Sequence, residues 1–188
     1  MVYFLKIDRT NNKTIRKNNL GSSLEKDINL TNIFYREQKI AFIHKNEIPI
    51  QVVKVEYPNR QKAKIVEAYY KFKSLPDYQG IYKGKYLSFD VKETNNPKYF
   101  NLSNIPQHQI YNLQEVQKLK GISFFIINFK TKNKYFYLPI NYLTDFLNNS
   151  SKKSISYDIF EQNFFMIPFR YNPRLDYLKI VDKFIQKD

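Results

Sequence analysis

A chain of 188 residues, 43% hydrophobic and 17% aromatic, has the material for one ordinary domain with its own core. It has no cysteine and only His44 and His108, which excludes disulfides, thiolate catalysis, nearly every structural zinc site and any histidine-rich metal centre. Its 31 Lys and Arg against 17 Asp and Glu give a formal charge of +14, which points to a polyanionic partner, because neutralising phosphates releases counterions.

In chain order, residues 1–20 are polar and Asn-rich, and Lys6, Arg9, Lys13, Arg16 and Lys17 outnumber Asp8, so they read as a flexible basic N-terminal arm. Charge interrupts the opening apolar residues too early for a secretory signal, and no apolar run approaches the ~18 residues of a membrane span, so a cytoplasmic location is expected. The string Ser22-Ser23-Leu24-Glu25 looks like a capping box, and Leu24, Ile28, Thr31 and Tyr35 carry helical spacing to about Glu37. Residues 40–44 and 50–55 are β-branched runs separated by Lys45-Asn46-Glu47, which predicts a strand pair with a turn. Tyr57-Pro58-Asn59 reads as punctuation. Residues 63–72 follow as an extended, projecting segment.

A loop at residues 95–97 leads to a helix opening at Ile105-Pro106, with Ile110, Leu113, Val116 and Leu119 as its stripe and Gly121 as its cap. Residues 122–129 are apolar on both faces, as a doubly covered central strand should be. A strand at 135–140, a short helix at 141–147, a polar loop at 148–154 and a last helix starting at Asn172-Pro173 complete the pattern. The buried stripe of that last helix is Leu175, Leu178, Val181 and Ile185. Residues 21–188 therefore read as a single α/β domain, a mixed central sheet flanked by helices.

Residues 76–94 carry the chemistry. Leu87, Phe89 and Val91 alternate with Ser88, Asp90, Lys92 and Thr94, so one face is core and the other presents a carboxylate and an amine two residues apart. Lys83-Gly84 suits a two-residue hairpin turn, and with that turn strand partners sum to 167, placing Asp77 opposite Asp90. A bulge at Gly80 would instead carry Asp77 off that face. Opposed carboxylates destabilise a sheet unless a cation sits between them. Mg²⁺ suits such a pair, because it binds one or two carboxylates together with substrate phosphate oxygens. Lys92 would meet the phosphate, or orient and deprotonate the attacking water, in metal-assisted phosphodiester hydrolysis.

Pro76-Asp77 followed by Asp90-Val91-Lys92 resembles the PD-(D/E)xK nuclease signature. The longer string is similar to the RecU family of Holliday junction resolvases: Tyr57-Pro58, then residues 77–86, then Phe89-Asp90-Val91-Lys92-Glu93-Thr94. Residues 21–25, Ile43-His44-Lys45, His108-Gln109-Ile110 and residues 173–177 fall in the family's order. The resemblance implies a restriction-endonuclease-like fold with a stalk, here at about residues 58–75, that enters the junction centre. It also implies Mg²⁺ dependence and a homodimer whose two sites nick like strands of a four-way junction in recombination and repair, with recombinase and branch-migration proteins as further partners. By position, Asp77 and Asp90 become metal ligands and Lys92 the catalytic lysine, with Glu25 and Gln109 as further members of the site. Two positions depart from the family: Pro76 stands where Thr is usual, and Asp90 where Glu is usual.

Other readings stand beside these. Glu25 could simply complete its capping box, whereas Gln109, in line with Leu113 and Val116, is a polar residue on an apolar stripe and needs a partner. Glu93 reads as a strand-end contact, His44 as a structural histidine and His108 as a surface one. Arg60, Lys62, Lys64, Lys71 and Lys73 would contact DNA backbones, and Tyr69, Tyr70 and Phe72 would stack on unpaired bases; the same segment also fits a solvated face. The rival functions are another PD-(D/E)xK repair or restriction-type endonuclease and a non-catalytic module that binds branched DNA.

Overall fold

The computed structural model describes residues 23–59, 62–70 and 75–185. The predicted basic arm, with Arg60, Lys71, Phe72 and Lys73, lies outside them. Helix α1 (Leu24–Glu37) buries Leu24, Ile28, Thr31 and Tyr35, the predicted stripe. Its N-cap is Ser23, whose side chain accepts from the Lys26 amide. That shifts the expected capping box by one residue: Glu25 is one position short of reaching back. The Leu24 amide donates to Glu93 Oε1 at 3.2 Å instead, so Glu93 is a strand-end contact that closes the helix start.

Strand β1 (Phe42–Lys45) is followed by β2 (Ile50–Asn59) and β3 (Lys62–Tyr70), then β4 (Tyr78–Tyr82) and β5 (Lys85–Thr94). The expected pairing of residues 40–44 with 50–55 does not occur. β1 pairs antiparallel with β4, and β2 with β3. Gly80 explains the choice, because a Cβ there would lie 2.1 Å from the Phe42 carbonyl oxygen and 2.6 Å from Ile43 Cα, so only glycine admits β1. The β2–β3 hairpin is exposed along its length, with Val55 alone half-buried. It starts earlier than the predicted stalk, and Pro58 sits inside β2 rather than ending it. A register irregularity between Glu56 and Asn59 spares Pro58 a ladder hydrogen bond.

After β6 (Tyr99–Asn101), helix α2 (Gln107–Lys118) buries Gln109, Ile110 and Leu113. Pro106 is its N-cap rather than its first residue, Leu119 is 83% exposed, and the left-handed residue at its end is Lys120 (φ 67°). Gly121 follows because a Cβ would meet Val116 Cγ1 at 2.7 Å. Strands β7 (Ile122–Phe129) and β8 (Lys134–Pro139), helix α3 (Ile140–Asn149), β9 (Ser154–Ser156), α4 (Tyr157–Asn163), β10 (Phe165–Ile167) and α5 (Leu178–Ile185) complete the chain. The last helix begins at Leu178, later than predicted. Residues 172–177 run irregularly ahead of it, with the Leu175 amide held by Thr31 Oγ1.

The main sheet has the order β1-β4-β5-β7-β8-β10, antiparallel except between β5 and β7, which α2 connects. One face packs on α1 and α5, the other on α2, α3 and α4. β7 is buried on both, as its apolar run at residues 124–127 requires, with Ser123 and Asn128 buried at its ends. On the α1 face, Tyr78, Phe89, Phe124, Tyr137 and Phe184 stack in series at centroid spacings of 4.9, 4.7, 4.3 and 5.1 Å. This stack ties β4, β5, β7 and β8 in register.

Candidate active site

The β4–β5 hairpin turns at Lys83-Gly84, both at positive φ (48° and 75°), as a two-residue turn of this hand demands. Its register runs without a bulge from Tyr82↔Lys85 to Tyr78↔Phe89, so Asp77, the next residue out, stands across from Asp90. The Asp77 amide donates to Asp90 Oδ1 at 3.4 Å, and Lys92 Nζ lies 3.8 Å from the same oxygen. Tyr78 and Phe89, the neighbours of the two aspartates, are stacked on the opposite face, which fixes the pair from behind.

β5 alternates as its sequence predicts. Leu87, Phe89 and Val91 enter the core under α1, while Asp90 and Lys92 share the face of Phe125 and Ile127, under α2. Asp90 is fully buried, and its Oδ2 has no protein partner. Burial, the hydrogen bond to Asp77 and the Asp77 charge push its carboxyl up to about 8, against an opposing pull from Lys92. A carboxylate stripped of solvent beside a second one is disfavoured in its charged form.

Gln109 lies in the first turn of α2, on the helix that covers this face. It is 7% exposed, and its Oε1 also lacks a partner. Glu25 stands apart, its Oε2 accepting from Lys45 Nζ at 2.5 Å. The charges of Glu25, Asp77 and Asp90 all act on the buried Tyr78 hydroxyl, and with burial as the larger cause they hold its pKa well above the ordinary tyrosine value. Among the described residues, however, no three His, Asp or Glu side chains form a group that could hold a metal. The structure thus brings together Asp77, Asp90 and Lys92, covers them with the helix that carries Gln109, and leaves Glu25 paired elsewhere.

Sequence reading missed Asn46. Its amide donates to the Asp77 carbonyl at 2.7 Å and its Nδ2 to the Pro76 carbonyl at 2.6 Å, clamping the residues that present Asp77. It also missed Lys45 as the partner of Glu25. No local signal marks either residue, because Asn46 acts at the end of the β1–β4 pairing and Lys45 through the packing of α1 beside β1. His44 is exposed, its Nε2 3.3 Å from Gln79 Nε2, and His108 is half-buried in the first turn of α2. Lys62, Lys64, Tyr69 and Tyr70 are all exposed on β3, with the Tyr69 hydroxyl donating to Glu67 Oε1 at 2.7 Å.

Residues 19–183 match the family model described as RecU, Recombination protein U. Proteins named Holliday junction resolvase RecU from Staphylococcus aureus strains JH9, COL and MRSA252 are each 46% identical over 168 residues, covering 88% of this chain and 81% of theirs. Among solved structures, the Holliday junction resolvase Hjc of Archaeoglobus fulgidus aligns at a TM-score of 0.38 with 11% identity, covering 69% of this chain and 90% of that one.

Proposed function

The chain belongs to the RecU (recombination protein U) family, and on that premise we propose that it is a Mg²⁺-dependent, structure-selective endonuclease that resolves Holliday junctions by paired nicks in recombination and repair. A homodimer acting in the cytoplasm is part of the proposal; among the described residues no helix is long and apolar enough to cross a membrane. One observation carries the reading: Asp77 and Asp90 face each other from adjacent strands, with Lys92 against the same oxygen of Asp90.

A divalent metal fits this donor set. Asp90 has a buried carboxylate oxygen with no protein partner, and its carboxyl is held up beside Asp77, so a dication would relieve both an unsatisfied acceptor and a like-charge contact. Asp77 and Asp90 would hold the ion. Two carboxylates, with substrate phosphate oxygens completing the shell, are a usual Mg²⁺ set. When bound, the ion supplies Lewis-acid stabilisation of the scissile phosphate. Lys92, its side chain 16% exposed, supplies a fixed positive charge beside the developing phosphorane and can orient the attacking water. Gln109 offers a buried amide to the same pocket. Glu25, paired with Lys45 apart from the two aspartates, would join the site only on leaving that salt bridge. Lys62, Lys64, Tyr69 and Tyr70, with Arg60, Lys71, Phe72 and Lys73 beyond the described residues, form the junction-contacting stalk.

Asp77→Asn tests this directly. It should abolish Mg²⁺-dependent nicking of a synthetic four-way junction while junction binding in EDTA or Ca²⁺ persists. Wild-type protein that binds junctions without ever cutting them would favour a branched-DNA-binding module instead.

A further inference from the structure

Two residues ahead of Asp77, Leu75 forms one wall of an open cleft of about 690 Å³ whose other described lining is Gln107, His108, Tyr111 and Asn112 of α2. We propose that this cleft receives a nucleobase next to the scissile phosphate, stacked on Tyr111, and thereby selects where the strand is cut. The inference rests on the nuclease reading above and adds to it the residues that read the substrate.

Position comes first. Leu75 is two residues from Asp77, and two residues of chain span at most about 7 Å, the scale of one nucleotide step along a strand. Asn46 pins the intervening backbone at both Pro76 and Asp77, so the spacing between cleft and carboxylates is fixed. The other wall comes from the first turns of α2, the helix that carries Gln109 and packs on the sheet face that holds Asp90. Gln109 is itself 7% exposed with an unpartnered Oε1, so the same helical turn holds an unmet polar group at the site and an open wall next to it.

Chemistry comes second. Tyr111 is 58% exposed and Leu75 60% exposed, an aromatic and an aliphatic side chain left in solvent at the mouth of the site. An aromatic ring beside an aliphatic wall suits the face of a base, and every base has a π-face to stack. The imidazole of His108 and the amide of Gln107 can donate and accept toward a base edge, which turns stacking into preference. Among the described residues no carboxylate lines the cleft, and the first turn of α2 carries no acidic residue and no side-chain cap, which favours an adjoining phosphate.

The test uses four-way junctions carrying 2-aminopurine or an abasic site at each nucleotide flanking the cut. With wild-type protein in Ca²⁺, 2-aminopurine at one flanking position should change fluorescence on binding. Tyr111→Ala should remove that change and Tyr111→Phe keep it. In Mg²⁺, the abasic substitution at that position should slow wild-type cleavage about tenfold. Tyr111→Ala on the intact junction should be slowed to the same extent and spread its cuts over more positions. Cleavage by Tyr111→Ala at the wild-type rate and positions, or fluorescence unaffected by the substitution, overturns the proposal while leaving the nuclease reading intact. Failure of the wild-type protein to cut any junction would remove both.

Discussion

Asp90 is costly to the fold it belongs to. Its carboxyl, near 3.8 when solvated, is pushed up to about 8 by burial and by Asp77. A carboxyl raised on folding stabilises the folded chain fully below its unfolded value and loses that contribution as pH rises to its folded value. Metal-free protein should therefore lose stability between about pH 4 and 8 on this account. Asp90→Asn, which cannot ionise, should raise the melting temperature in EDTA, by several degrees at pH 8 and little at pH 4. An equal shift at both pH values would mean that the aspartates do not strain each other. The pairing was legible in the sequence because one turn set it: Lys83-Gly84 fixed the register and alternation fixed the face. Asn46 and Lys45 were not legible: Asn46 reaches Asp77 at the end of a strand pairing that joins residues 35 to 39 apart, His44 with Gln79 and Phe42 with Ile81, and Lys45 reaches Glu25 on α1 across the β1 edge. Of the two readings of Glu25, the capping box fails because two adjacent serines offered two frames and the N-cap is Ser23, with Glu93 closing the helix start from a distant strand.

At the scale of elements, local periodicity was enough for α1 and β7 and for the face each β5 side chain takes, although α2 buries Ser88, Asp90 and Thr94 on the polar face of β5 as well. It failed where long-range pairing decided. Residues 40–44 and 50–55 look like hairpin partners, yet Gly80 opens the β4 edge to β1 and releases β2 to pair with β3. Gly80→Ala puts a methyl against backbone rather than a flexible side chain, so it should cost about 1–3 kcal/mol by thermal or denaturant melting. By loosening β1 it should also reduce cleavage more than junction binding. A melting temperature matching wild type would show that β1 does not lean on that glycine. The β2–β3 hairpin is exposed on both faces, an arrangement marginal in isolation and suited to an element completed by its substrate. Replacing Lys62 and Lys64 with Gln should weaken junction binding more than linear duplex binding, and equal losses on both would detach the hairpin from junction recognition.

For the whole molecule, the charge of +14 supplies attraction to any nucleic acid, and it is geometry that must supply selectivity. The sheet delivers Asp77, Asp90 and Lys92 as one unit, fixed from behind by the aromatic stack from Tyr78 to Phe184. The exposed β2–β3 hairpin is the element proposed to meet the branch. The measurement that tests this most directly is cleavage of a four-way junction beside a sequence-matched linear duplex while Mg²⁺ is titrated from zero in the presence of purified protein. The account predicts no cutting without a divalent ion, then nicks in two like strands of the junction with the duplex left intact. Cutting that is indifferent to the metal, or that consumes duplex as fast as junction, would contradict it.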